Sequence, residues 1–399
     1  MTITKTSSKG NICYLQSGGP TSVINASFLG LLQAKKELLN DSKLYVSHFG
    51  VTGLLNGHLE EVIEAKLPNL NVRPGAYFGS LRKKLPEAND SSEAKKIVST
   101  LKKYNIRYLL LNGGNDSMDS VKKISDYLKH SDYACQVAGI PKTIDNDLAV
   151  SDHTPGYGSS AKFIANATLA IAIDDQSYEK GRINVIETMG RDCGYLAASS
   201  YLSSLKGYAP DFIYVPEVPF DVILTKKKAE EKYMKTGHCL VVVSEGIRDK
   251  DNNFVAANKQ SDAFGHTQMG GVASYLASLF MDDGYKTRAI EISLMQRAGS
   301  FVSSKTDIDE AKQVGYQALK EMTLGKSGFM VIIKRVSDKP YQVRYDTCPV
   351  EKIADIAVPL KKEYISSSLD NITPAFIDYV LPLIQGEEKD TFKDGLLNI

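Results

Sequence analysis

Two carboxylates stand two residues apart in Gly139-Ile140-Pro141-Lys142-Thr143-Ile144-Asp145-Asn146-Asp147, beside a lysine and a threonine and directly after an apolar run. Charged groups placed there face a site or the solvent, because burial against apolar neighbours carries a heavy desolvation cost. One of the two carboxylates could take a hydroxyl proton as a base while its neighbour held a divalent metal. That is kinase-like chemistry. A solvated loop is the alternative, and the packing of Lys142, Thr143, Asp145 and Asp147 into so short a stretch argues against it. Two glycine-rich turns could hold the phosphate. Gly18 and Gly19 lie in Gln16-Ser17-Gly18-Gly19-Pro20, and Gly114 in Gly113-Gly114-Asn115-Asp116-Ser117. Each follows an apolar run and leads into helical periodicity, and such turns attract anions through backbone amides and helix N-termini. Either turn alone could be a plain strand-to-helix connection. Downstream come Arg182, then Glu187-Thr188-Met189-Gly190-Arg191-Asp192-Cys193-Gly194, then Ser244-Glu245-Gly246, then Arg288 and Gln296-Arg297. Arginines near strand ends suit phosphate groups through bidentate forks, although each singly is more often a surface ion-pair partner.

These residues need a scaffold of strands and crossover helices. Short β-branched runs at 11–15, 106–111, 134–140, 183–186, 239–244, 289–294 and 329–333 alternate with helical stretches, which predicts α/β architecture with parallel sheets. The turn-rich stretch 145–160 marks a domain boundary. Composition changes again after Arg344, where 351–368 has helical charge spacing and 371–381 reads as a short terminal helix. This part reads as an appended tail packed against the first domain.

The 399 residues carry 48 Lys+Arg against 47 Asp+Glu, a net charge of +1, with 43% hydrophobic and 24% charged residues. Such a balance argues against nucleic acid or an anionic membrane as partner. No apolar run reaches the roughly 18 residues of a membrane span, and 1–9 is polar, so a cytoplasmic location is expected. Five scattered cysteines form no Cys-x-x-Cys pair and predict buried small hydrophobes. The six histidines are isolated, so no metal is assigned to them. Two motif matches fail on context. Gly156-Tyr157-Gly158-Ser159-Ser160-Ala161 fits a dinucleotide fingerprint but follows a turn-like segment, and Gly325-Lys326-Ser327 lacks the first glycine of a Walker loop.

Taken in order, Ser17-Gly18-Gly19-Pro20, Gly79-Ser80-Leu81-Arg82, Gly113-Gly114-Asn115-Asp116-Ser117, Pro141-Lys142-Thr143-Ile144-Asp145-Asn146-Asp147, Met189-Gly190-Arg191, Glu245-Gly246 and Gln296-Arg297-Ala298-Gly299 resemble the phosphofructokinase family over nearly the whole chain. Tyr214-Val215-Pro216-Glu217-Val218-Pro219-Phe220 is similar to its pyrophosphate-dependent branch. The resemblance implies two Rossmann-like parallel-sheet domains with the active site between them. These would be a larger donor-binding domain at 1–157 completed by 296–345, a smaller sugar-phosphate domain at 158–295, and a C-terminal helical extension at 346–399. The implied reaction moves a phosphoryl group from pyrophosphate to the 1-hydroxyl of fructose 6-phosphate, reversibly and with magnesium, as a step of glycolysis or gluconeogenesis. An ATP-dependent sugar kinase and a catalytically weak regulatory homologue are the alternatives.

By the same resemblance Asp145 is the base, with Thr143 beside it and Asp147 near the metal. Gly18, Gly19, Arg82, Gly114, Asn115, Asp116 and Lys142 surround the donor. Thr143, Asp145, Met189, Gly190, Arg191, Glu245 and Arg297 hold the sugar phosphate, while Arg182 and Arg288 reach it across a subunit interface, which implies a homodimer or homotetramer. ATP-using members have glycine at the positions of Asp116 and Lys142, so these two are read as donor selectors. Two residues depart from the family pattern. Asn115 stands where many members carry a magnesium-binding aspartate, so Asp116, Asp147 or the pyrophosphate must supply more of the coordination. Leu294 stands where relatives present His or Tyr to the sugar phosphate.

Overall fold

Residues 10–261 and 267–399 are described by the structure, a computed structural model. Its main strands are β1 (Asn11–Gln16), β2 (Leu44–Val46), β3 (Glu60–Glu61), β4 (Ile106–Gly113), β5 (Gln136–Pro141), β6 (Ile183–Thr188), β7 (Phe212–Tyr214), β8 (Cys239–Ser244), β9 (Thr287–Glu291), β10 (Phe329–Asp338) and β11 (Tyr341–Pro349). Seven of them form one sheet in the order β11-β10-β5-β4-β1-β2-β3, parallel throughout except for β3 and β11 at its edges. The other four form an all-parallel sheet, β9-β6-β8-β7.

Side-chain alternation explains why both faces of these strands are apolar. In β4, Ile106, Leu109 and Leu111 enter one cluster while Tyr108 and Leu110 enter another on the opposite face. In β8, Leu240 and Val242 face one way and Cys239, Val241 and Val243 the other. A parallel sheet covered by helices on both sides needs this continuous hydrophobicity. Four of the five cysteines are buried, as small hydrophobes, and Cys135 is half-buried. No helix among the described residues is long and apolar enough to cross a membrane.

The helices that matter here are α1 (Ile24–Leu38), α2 (Asn115–Lys129), α3 (Tyr157–Gln176), α4 (Met295–Ala298), α5 (Lys305–Thr323) and α6 (Ala375–Val380). Glycine lets α1 and α5 touch backbone to backbone. A Cβ on Gly30 would sit 1.8 Å from the Lys312 carbonyl oxygen, and one on Gly315 1.9 Å from that of Ser27. Gly30→Ala or Gly315→Ala is therefore expected to push the helices apart at a cost of about 1–3 kcal/mol. A lower thermal midpoint in scanning fluorimetry checks this; an unchanged midpoint would mean that the pair separates freely.

Three readings of the sequence need correction. The strand expected at 289–294 is Thr287–Glu291, and the chain turns at Ile292 into the short α4. The helical charge spacing of 351–368 produces no α-helix, only the 3-10 turns Val350–Lys352 and Lys362–Tyr364. Pro359 cannot donate a helical hydrogen bond, and Asp355 takes a left-handed conformation at φ 60°. The tail also packs differently from expectation. Val350 and Ile353 join a core of the larger sheet. Leu360, Tyr364, Ile372, Phe376, Tyr379, Val380 and Leu383 instead pack with Tyr157, Leu196 and Ile213 against the smaller one. The G-x-G-x-x-A match fails in the structure as well, since Gly156 only precedes α3 at the end of an irregular loop.

Candidate active site

The carboxyl ends of β1, β4 and β5 face those of β6 and β8, and the loops leaving them line one cavity of about 380 Å³. Such crevices are where open parallel sheets place ligands. The lining brings together Gly18, Gly19, Arg82, Gly114, Asn115, Asp116, Lys142, Thr143, Asp145, Asp147, Met189, Arg191, Glu245 and Arg297. Gly190 sits between two lining residues at φ 122°, and its N–H donates to Glu245 Oε1 at 3.3 Å. Arg182 and Arg288 are elsewhere. Arg182 immediately precedes β6 and pairs with Asp175 at 3.4 Å, and Arg288 is the second residue of β9, so both lie at the opposite strand ends from the cavity. Leu294 is 56% exposed and does not line the cavity.

Sequence reasoning missed several wall residues. Pro20, Ser117, Ile144, Asp192 and Cys193 lie inside motifs already singled out. Asp355 and Ala357 carry no such signal. They come from the tail, which reaches the site because Ala357 bridges Leu148 and the Val358 N–H donates to the Asp147 carbonyl at 2.8 Å.

One side of the cavity is built for an anion. Gly18 turns the chain at φ 77°, and Lys142 Nζ donates to the Gly19 carbonyl at 2.6 Å. A Cβ on Gly19 would lie 2.8 Å from Arg297 Nη1 and 3.6 Å from Arg82 Nη2, so the bare backbone there is hemmed in by guanidinium groups. Burial, reinforced by repulsion from Arg82 and Arg297, brings the Lys142 ammonium down to a pKa of about 7. Three cations crowded together, Lys142 buried among them, attract a polyanion.

The other side holds the acids. Burial raises Asp145 above the usual carboxylate range, against the pull of Lys142, Arg82 and Arg191. Its backbone N–H donates to Thr143 Oγ1 at 3.1 Å, which fixes the turn at its start. Burial and the nearby Asp145 charge raise Asp147 to about 7, and the same two causes bring Glu245 to about 7. Carboxylates with pKa values near neutrality are suited to exchange protons with a hydroxyl group. Asn115 Nδ2 donates to Asp147 Oδ2 at 2.8 Å, which leaves Asn115 Oδ1 buried without a hydrogen-bond partner. An orphaned amide oxygen beside a carboxylate is a hard-oxygen pair of the kind that suits a magnesium ion.

The family model described as Phosphofructokinase matches residues 11–322. A relative from Halomonas elongata named pyrophosphate--fructose 6-phosphate 1-phosphotransferase is 36% identical over 395 residues, covering 97% of this chain and 94% of its own. One of the same name from Xanthomonas campestris is 36% identical over 398 residues, covering 97% and 94%. The crystal structure of a pyrophosphate-dependent phosphofructokinase from Marinobacter aquaeolei superposes with a TM-score of 0.86 at 31% identity, covering 98% of this chain and 95% of that one. Because the match runs through the very segments that converge on the cavity, the chain belongs to the phosphofructokinase family.

Proposed function

We propose that this protein is a pyrophosphate-dependent fructose 6-phosphate 1-phosphotransferase, forming fructose 1,6-bisphosphate and phosphate. The observation that carries this reading is the pairing, in one cavity, of the Asp145 carboxylate with a Lys142 ammonium seated on the Gly18-Gly19 turn. Asp145 removes the proton from the sugar 1-hydroxyl as its oxygen attacks the near phosphorus of pyrophosphate. The bridging P–O bond then breaks and inorganic phosphate leaves. Lys142, Arg82 and the Gly18-Gly19 backbone hold the donor and offset the charge that gathers on the transferring group. Met189, Gly190, Arg191, Glu245 and Arg297 bind the sugar phosphate. A magnesium ion held by Asn115 Oδ1 and Asp147, with Asp116 at the mouth of the cavity, would neutralise donor charge.

The larger sheet with its loops forms the donor side (1–157 with 296–345), the segment 158–295 the sugar side, and 346–399 closes the cleft from the tail. Arg182 and Arg288 act on the sugar phosphate of a neighbouring subunit, so the working unit is a homodimer or homotetramer in the cytoplasm. The test is an aldolase-coupled assay with fructose 6-phosphate and magnesium, run with pyrophosphate and with ATP at equal concentration. Turnover with pyrophosphate alone is expected. ATP preference would overturn the donor assignment, and silence with both would favour a regulatory subunit.

Lys142 adds a pH signature. With a free-state pKa of about 7, it is charged below neutrality and loses its charge above. Bound pyrophosphate stabilises the ammonium, so its affinity is expected to fall by up to tenfold per pH unit above about pH 7 and to level off below. Calorimetry in two buffers of different ionisation heat should show proton uptake on binding at pH 8. Lys142→Met should abolish that uptake; its persistence would assign the proton to another group.

A further inference from the structure

The two acids of the catalytic turn are separated by Asn146, a residue the reaction itself does not use. Its backbone is left-handed at φ 61°, which asparagine tolerates better than most residues, and it is only 6% exposed. Its side chain is held at both ends. Asn146 Oδ1 accepts the Thr154 N–H at 3.0 Å, and Asn146 Nδ2 donates to the hydroxyl of Tyr379 at 2.7 Å. Tyr379 belongs to α6 in the tail, and its hydroxyl donates in turn to the Asp152 carbonyl at 2.9 Å, so one phenol ties both ends of the loop 146–152. The ring is itself immobilised. It stacks on Tyr364 with centroids 5.5 Å apart, lies 6.2 Å from Phe376 and 5.8 Å from Tyr195, and carries the Arg335 guanidinium 4.8 Å from its centroid.

Resting on the phosphotransferase reading, we infer that Tyr379 is a positioning residue, which fixes the aim of Asp145 and Asp147 by clamping Asn146 from behind the turn. Tyr379 does not line the cavity. It acts because a left-handed residue between two catalytic carboxylates has other backbone conformations open to it, and a displacement of about 1 Å in a reacting group can cost about a hundredfold in rate. The tail is then part of the catalytic apparatus although no sequence motif in it announces chemistry.

The experiment compares Tyr379→Phe, which keeps the ring and its stacking, with Phe376→Leu, which loosens the same aromatic cluster without touching Asn146. Tyr379→Phe is expected to lower kcat by about tenfold or more while the KM values for both substrates change by less than about threefold. Phe376→Leu should lower the thermal midpoint and, below it, reduce kcat clearly less than Tyr379→Phe does. Asn146→Ala should lower kcat as well, and the double variant Tyr379→Phe with Asn146→Ala should be no slower than Asn146→Ala alone, because the two residues act as one device. Wild-type kcat in Tyr379→Phe, equal kcat losses in Tyr379→Phe and Phe376→Leu, or additive losses in the double variant would each overturn the inference. The ratio of variant to wild type is read with whichever donor supports turnover. Failure of the wild type with pyrophosphate therefore condemns the donor assignment and leaves the test of Tyr379 intact.

Discussion

Asp145→Ala is expected to lower kcat by about two to four orders of magnitude with little change in the affinity for fructose 6-phosphate, the usual scale for loss of a positioned general base. The reason lies in what remains. Arg191, Glu245 and Met189 still line the cavity, and Lys142 still has the Gly19 carbonyl at 2.6 Å, so both substrates keep their partners. Nothing else in the turn replaces the base, since Asp147 is already engaged by Asn115 at 2.8 Å. Burial holds the Asp145 carboxyl above its ordinary range, so the wild-type rate should fall on acidification as this group takes up its proton. The variant should lose that limb of the profile. Steady-state kinetics across pH, paired with calorimetric titration of fructose 6-phosphate, checks both statements. An equally active Asp145→Ala protein would remove the residue from the mechanism, and loss of sugar-phosphate binding would make it a binding group instead.

Much of this site was legible in the sequence because its chemistry is local. Lys142, Thr143, Asp145 and Asp147 fall within six consecutive positions directly after one strand, and a strand end in a parallel sheet faces the ligand crevice. The glycine turns were legible for the same reason. What could not be read depends on contacts across long stretches of chain. Asp355 and Ala357 enter the cavity wall through a bridge to Leu148, and Tyr379 meets Asn146 from 233 positions away. Charge spacing in 351–368 imitates a helix because an irregular, solvent-facing segment satisfies the same alternation of polar groups. The packing of Leu360, Tyr364 and Phe376 against the smaller sheet decided otherwise. Arg182 and Arg288 show the reverse case. Their residue type and order fit the family, but a single chain leaves them at the wrong strand ends for its own cavity.

The double substitution Asp116→Gly with Lys142→Gly is expected to raise turnover with ATP relative to pyrophosphate by about two to three orders of magnitude. Asp116 lies in the first turn of α2, exposed at the mouth of the cavity, where the helix N-terminus favours an acid. A carboxylate about 4 Å from the α-phosphate of a nucleotide costs about 4 kcal/mol at an effective dielectric near 20, which is about a thousandfold in affinity. Pyrophosphate has no third phosphate and escapes that repulsion. Lys142 acts from the other direction: it is 2% exposed, and its ammonium fills the corner beside Gly18 and Gly19, where a Cβ on Gly18 would be 3.5 Å from Nζ. Removing it opens the volume and withdraws a cation from pyrophosphate. The single variants separate the two effects. Lys142→Gly alone should lose pyrophosphate turnover without gaining ATP, because the Asp116 charge remains. Asp116→Gly alone should admit ATP weakly and keep much of the pyrophosphate rate. The measurement is kcat/KM for each donor in all four proteins at saturating fructose 6-phosphate, with thermal midpoints as a check on folding. If the double variant shows undetectable ATP turnover and undiminished pyrophosphate turnover, donor choice is set elsewhere in the cavity, and the electrostatic account of Asp116 and Lys142 is wrong.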